Sequence, residues 1–118
     1  MLAKAVVRQL RMTSRKVGYV ITPLRRRTVA EALAVLGATN RRAAGPVAKA
    51  IASAFANARR QDPALREEDL IISRMFADEG PTWKRFRAAA FGRAARILKR
   101  TTHLTVELDK KPMRAHGA

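Results

Sequence analysis

Between Asp78 and His103 the chain reads DEGPTWKRFRAAAFGRAARILKRTTH. Lys84, Arg85, Arg87, Arg93, Arg96, Lys99 and Arg100 fall in this span with no acid after Glu79, and Trp83, Phe86, Phe91, Ile97 and Leu98 lie among them. Cationic groups attract phosphate, and flat apolar groups lie against bases or sugars. The composition suits immersion in a polyanion better than covalent chemistry. A merely solvated face mixes signs, and this span does not. Arg8, Arg11, Arg15, Lys16, Arg25, Arg26 and Arg27 form a second basic region. Both regions are candidate phosphate contacts. Trp83 is a candidate either for stacking on a base or for packing at the root of the basic segment.

Other reactive residues read as structural. Asp78 and Glu79 are adjacent, and adjacent side chains on a strand point to opposite faces, so they cannot readily share a substrate. They are expected to pair with nearby Arg or Lys. His103 sits in an alternating strand pattern and is expected to hold a hydrogen bond rather than act as a base. Asp62, Glu67, Glu68 and Asp69 cluster in a loop with Pro63 and lack EF-hand spacing, so they read as solvated. Gly92-Arg93 reads as a turn, not a nucleotide loop. With no Cys and only His103 and His116, thiolate and histidine-rich metal sites are excluded. No catalytic residue, metal or cofactor is expected, and the chain is read as a non-enzyme.

The chain has 118 residues, enough for one domain, and a formal net charge of +16. Such an excess repels itself in a compact body and implies a charged partner: nucleic acid first, an anionic membrane surface second. Although 47% of residues are apolar, many are Ala, which buries little surface, so the core is modest. No run of about 18 apolar residues exists to span a membrane, and MLAKAVVRQL lacks the apolar core of a secretion signal. The expected location is the cytoplasm, or the matrix or stroma of an organelle that makes the protein.

These residues need elements to position them. Ala3 to Arg11 favours a strand. Thr13 or Ser14 can cap a short helix striped by Val17, Val20, Ile21 and Leu24; Pro23 argues that it stops near Ile21, leaving Arg25–Arg27 in a turn. Thr28-Val29-Ala30-Glu31 fits a capping box, starting a helix that Gly37 ends. Asn40 can cap the next helix, running to about Arg60, with Val47, Ala50, Ile51, Ala54, Phe55 and Ala58 buried. Pro46 either kinks it or marks its first turn. Leu70 to Ala77 reads as a strand with Leu70, Ile72 and Phe76 on one face. Thr101 to Leu108 reads as another, with Leu104, Val106 and Leu108 alternating against His103, Thr105 and Glu107. Asp109 to Ala118 reads as a basic tail. The order argues for an α+β domain with a small antiparallel sheet.

Phe86 to Arg100 is ambiguous. Its alanines favour a helix, at a cost of roughly 1 kcal/mol for Gly92. The alternative is a long β-hairpin with its tip near Ala88 to Gly92. Its strands, from Arg74 to about Ala88, would rise roughly 50 Å at about 3.3 Å per residue, against a compact radius of gyration of about 13 Å. A ribbon projecting that far needs something to lie against. Composition alone slightly favours the helix.

The same span resembles the bacterial form of the L-twenty-two family of large-subunit ribosomal proteins. The matching residues are Asp78 to Pro81, Lys84-Arg85, Gly92-Arg93-Ala94 and Arg96 to Val106. Ser14 to Val17, Thr39 to Ala44 and Ser53 to Ala58 are similar to the family's helix motifs, so the likeness covers nearly the whole chain in order. It implies three helices packed on a three-stranded antiparallel sheet with a long protruding β-hairpin. The hairpin would span about 78–103, the body about 1–77 and 104–109, and a flexible basic tail 110–118. It also implies large-subunit rRNA and neighbouring ribosomal proteins as partners, a role in subunit assembly, and a hairpin lining the nascent-peptide exit tunnel. The tunnel-lining tip would be Phe86, Arg87, Ala88, Ala89, Ala90, Phe91 and Gly92. The rRNA contacts would be the cations of both basic regions together with Trp83. At Ala88, Ala89 and Phe91 the family usually has Pro and basic residues, so this tip is more apolar. Gly18 replaces a usual basic residue, and Pro23 and Arg26 break the pattern that follows. The competing reading is a DNA-binding architectural protein with a basic arm. It would need an intertwined dimer or a groove-reading helix, and neither is evident.

Overall fold

Alternating Leu104, Val106 and Leu108 do form one buried stripe, and all three are fully buried. A computed structural model describes residues 2–88 and 94–110 and, for residues 83–88 and 94–99, the backbone alone. Its strands are β1 (Ala3–Leu10), β2 (Leu70–Glu79), β3 (Trp83–Ala88), β4 (Ala94–Lys99) and β5 (Thr102–Lys110). Its helices are α1 (Ser14–Ile21), α2 (Val29–Ala38) and α3 (Ala44–Gln61). β5 is the central strand of an antiparallel sheet ordered β1-β5-β2, while β3 and β4 pair as a separate two-stranded ribbon. The fold is therefore α+β, three helices against a three-stranded antiparallel sheet, as expected. β5 runs through Lys110, so Asp109 and Lys110, expected in the tail, are strand residues; the rest of that tail lies outside the described residues.

The helices cover one face of the sheet. α3 packs on β1 and β5, α1 on β2, and α2 on α3. Ala50, Ala54 and Ala58 of α3 and Ala3 and Ala5 of β1 are buried at this contact. Small side chains let helix and strand approach closely. Asn57 Nδ2 and Gln61 Nε2 then donate to the carbonyls of Lys4 and Leu2, both at 3.0 Å. Thr28 caps α2, its Oγ1 accepting from Glu31 N at 3.1 Å. Two helix boundaries differ from expectation. α2 continues through Gly37 to Ala38, and α3 begins at Ala44 rather than after Asn40, which puts Pro46 in its first turn, where a missing N–H costs nothing. Phe55 is half-buried rather than in the core.

Two irregularities explain what simple alternation missed. The β2–β5 register shifts between Ile72 and Arg74. This bulge puts Met75 (2% exposed) inward after Leu70 and Ile72 and turns Phe76 outward, where the Arg74 guanidinium lies 5.2 Å from its ring centroid. The bulge faces the Arg25–Arg27 turn: Arg26 N donates to Ile72 O and Ile72 N to Arg27 O, both at 2.9 Å. Arg26 adopts φ 69°, a left-handed conformation that costs a side-chain-bearing residue about 1 kcal/mol or more. The second irregularity lies in β1 between Val7 and Leu10, where Gln9 has φ 55°. The Gln9 amide donates to His103 Nδ1 at 3.1 Å. His103 thus serves a structural hydrogen bond, as its strand context implied.

The described parts of the ambiguous segment, Phe86–Ala88 and Ala94–Lys99, are strand rather than helix. Pairing runs from Trp83↔Lys99 to Ala88↔Ala94. This ribbon continues the β2–β5 pair across a short break, spanned by Gly80 N donating to Thr101 O (2.9 Å) and Thr101 Oγ1 donating to Pro81 O (2.6 Å). The radius of gyration, 17.9 Å, and the longest dimension, 72 Å, exceed those of a compact chain of this length, about 13 Å in radius.

Gly80 is required by close approach, because a Cβ there would stand 2.6 Å from Thr101 Oγ1 and 3.2 Å from His103 Cε1. Gly80→Ala is expected to lower stability by about 1–3 kcal/mol in chemical denaturation, and Thr101→Ala in the same chain should recover part of it. Equal stability of Gly80→Ala and wild type would refute the crowding. At Arg26 the direction reverses: Arg26→Gly should be neutral or stabilising by up to about 1 kcal/mol, because relieved strain offsets the added unfolded-state entropy.

Candidate nucleic-acid interface

α1 is capped by Thr13, whose Oγ1 accepts from Lys16 N at 3.3 Å. Its first turn holds no acid and two cations, Arg15 and Lys16. The residue preceding α3, Ala43, offers no side-chain cap and directly follows Arg41 and Arg42. Helix N-termini carry partial positive charge, and cations beside them are unfavourable unless an anion is near. Both starts border one open cleft of about 630 Å³. Arg11, Met12 and Thr13 line it from the β1–α1 connection, Lys16 and Tyr19 from α1, Arg41, Arg42 and Ala43 from the α2–α3 connection, and Arg100 and Thr101 from the hairpin root. Five cations and no acid form this wall.

A smaller cleft of about 250 Å³ shares Thr13, Arg100 and Thr101 with the first and adds Ser14, Arg15, Glu79, Gly80 and Thr82. Glu79 shares this wall with Arg15 and Arg100. The wall is locked by two buried hydroxyls: Thr101 bonds Pro81 as above, and Thr102 Oγ1 donates to Met12 O at 2.6 Å. The hairpin root and the entry to α1 are thus tied together.

The structure separates the sequence candidates. Arg11, Arg15, Lys16 and Arg100 converge on the clefts, while Arg8 is exposed on β1. Arg25, Arg26 and Arg27 line neither cleft; they follow β2, with Arg25 Nε donating to Met75 O (3.1 Å) and Arg27 Nε to Pro23 O (2.8 Å). Trp83, Lys84, Arg85, Phe86, Arg87 and Ala88 fall on β3, and Arg96 and Lys99 on β4. Ala89, Ala90, Phe91, Gly92 and Arg93, the rest of the expected tip with its flanking cation, lie outside the described residues. The ribbon's register sets one cation against one apolar residue in five successive pairs: Trp83↔Lys99, Lys84↔Leu98, Arg85↔Ile97, Phe86↔Arg96 and Arg87↔Ala95. Alternate pairs belong to opposite faces, so cations occupy both faces and neither is an apolar face for a protein core.

Sequence reading missed Tyr19, Arg41 and Arg42 as site residues. Arg41-Arg42 was legible as an uncompensated basic pair before a helix. Tyr19 follows Arg15 by four residues and so shares its helix face.

A family model described as Ribosomal protein L22p/L17e matches residues 5–109. The match takes in both clefts and both arms of the ribbon.

If the larger cleft holds RNA phosphate, Arg41→Gln with Arg42→Gln should weaken binding to rRNA and flatten the log K–log salt slope by about 1–2 units. An unchanged slope, measured by fluorescence anisotropy across a salt series, would remove these two residues from the interface.

Proposed function

The chain belongs to the ribosomal protein L22p/L17e family, and from that premise we propose that its ribbon runs into folded large-subunit rRNA and lines the nascent-peptide exit tunnel. Family membership makes it a non-enzymatic, rRNA-binding ribosomal protein with a structural role in the large subunit. No helix among the described residues is long and apolar enough to cross a membrane. The finer reading divides the chain into a body of about 1–77 and 104–109, a hairpin of about 78–103 and a basic tail. The body seats its clefts on rRNA backbone, and the hairpin penetrates. Phe86 to Gly92 then meet the nascent chain, and neighbouring large-subunit proteins flank the body. By joining RNA segments at the clefts and along the ribbon, the protein supports subunit assembly.

One observation carries this reading: cations lie on both faces of a paired ribbon that has no apolar face to bury. Such a ribbon is stabilised by anions on every side. Recognition depends on backbone and shape, since the major groove of A-form RNA is too narrow for side chains to read. Neutralising about six phosphates gives a slope of log K against log salt near −4 for single strands, at about −0.7 per contact.

Hydrogen exchange separates body from ribbon. In the free protein, amides of residues 83–88 and 94–99 should exchange far faster than those of Leu104 to Leu108, and both sets should be protected in purified large subunits. Equal protection of the ribbon in the free protein would sink the claim that RNA holds it. Photocrosslinking from Phe91 in translating ribosomes should label nascent chain and rRNA; crosslinks to neither would reject the tunnel placement. Sedimentation with the nucleoid rather than with ribosomal particles would reject the ribosomal reading as a whole.

A further inference from the structure

Tyr19 is the chain's single tyrosine, and it stands 54% exposed inside the cationic cleft. A lone exposed aromatic needs no explanation by itself; its surroundings do. Arg15 Nε donates to Tyr19 Oη at 3.0 Å, which fixes the ring's orientation on α1. The Arg15 and Arg41 guanidinium carbons lie 5.9 and 5.7 Å from the ring centroid. Both guanidinium groups stand over the ring at the outer limit of a cation–π contact, farther from it than a stacked base would stand. Gly18 lies beside it on α1, and a Cβ there would meet nothing within 4 Å. A helix-interior glycine costs about 1 kcal/mol relative to alanine, and packing does not require this one.

We infer that the cleft around Tyr19 takes an unstacked nucleotide of single-stranded RNA, its base on the Tyr19 ring and its phosphates on Lys16, Arg41 and Arg42. The inference rests on the RNA-binding reading above and adds a specific subsite to it. The chemistry fits in three respects. Unpaired RNA bases are commonly held on aromatic rings and guanidinium planes. The cleft volume lies within the roughly 300–1,000 Å³ that encloses small-molecule ligands. The cations come from α1 and from the α2–α3 connection, so a backbone crossing the cleft meets charge from two separate segments of its lining. A duplex keeps its bases stacked on one another and offers none to the ring.

The test uses the full chain with a single-stranded twelve-nucleotide oligoadenylate and an RNA duplex of the same length. Base–aromatic stacking, worth roughly 1–3 kcal/mol by alanine substitution, corresponds to about a 5- to 150-fold loss of affinity. Tyr19→Ala should lose that much for the single strand, keep the salt slope and leave duplex binding unchanged, while Tyr19→Phe stays near wild type. Ultraviolet irradiation of the wild-type complex should place a nucleotide adduct on the tryptic peptide Val17–Arg25. The platform is overturned if Tyr19→Ala binds the single strand like wild type. It is also overturned if Tyr19→Ala weakens strand and duplex alike, or if that peptide carries no adduct. Failure of the wild-type chain to bind either RNA would overturn the RNA-binding reading as well.

Discussion

A two-stranded ribbon is marginally stable at best in water, so the fold depends on the joint that grafts it to the sheet. β2 and β5 leave the three-stranded sheet as a pair, break at Gly80 and Thr101, and resume as β3 and β4. The break is crowded rather than loose. Gly80 fits only because it lacks a Cβ, and the Thr101 and Thr102 hydroxyls are each committed to a backbone carbonyl. His103 holds the Gln9 amide that a bulge removed from the ladder. Each of these contacts is small. Together they fix the direction in which the ribbon leaves the body.

The core supports this arrangement by being small and closely packed. Alanines on α3 and β1 trade buried area for proximity, so the larger residues, among them Ile51, Leu70, Ile72, Leu104 and Leu108, supply most of the hydrophobic stabilisation. Each contributes about 1.5–3 kcal/mol when fully buried. Self-repulsion from a net charge of +16 opposes it. The described ion pair Arg74–Glu107, 3.8 Å apart with Arg74 largely exposed, offsets little of that repulsion. Relief must come from outside, and an rRNA-binding protein finds it in phosphate. The same electrostatics explains why two helix starts without acids can share one cleft. Their positive ends and adjoining cations are strained alone and favourable around a polyanion.

The sequence by itself determined the local elements and the class of partner. Thr13 and Thr28 announce their helices because a side-chain oxygen must satisfy a free amide there. Leu104, Val106 and Leu108 announce a half-buried strand because its side chains alternate. The one-signed run from Lys84 to Arg100 announces a polyanion. Only the tertiary structure decided the rest, because each remaining feature depends on residues distant in the chain. Phe76 faces outward because β2 bulges against the Arg25–Arg27 turn, which no period-two pattern encodes. Ala88 to Ala95 carries helix propensity, and the ends of that stretch are overridden by cross-strand pairing continued from β2 and β5. The cleft gathers residues near positions 11–19, 41–43 and 100–101, so Tyr19, Arg41 and Arg42 share one wall only where folding brings those three segments together.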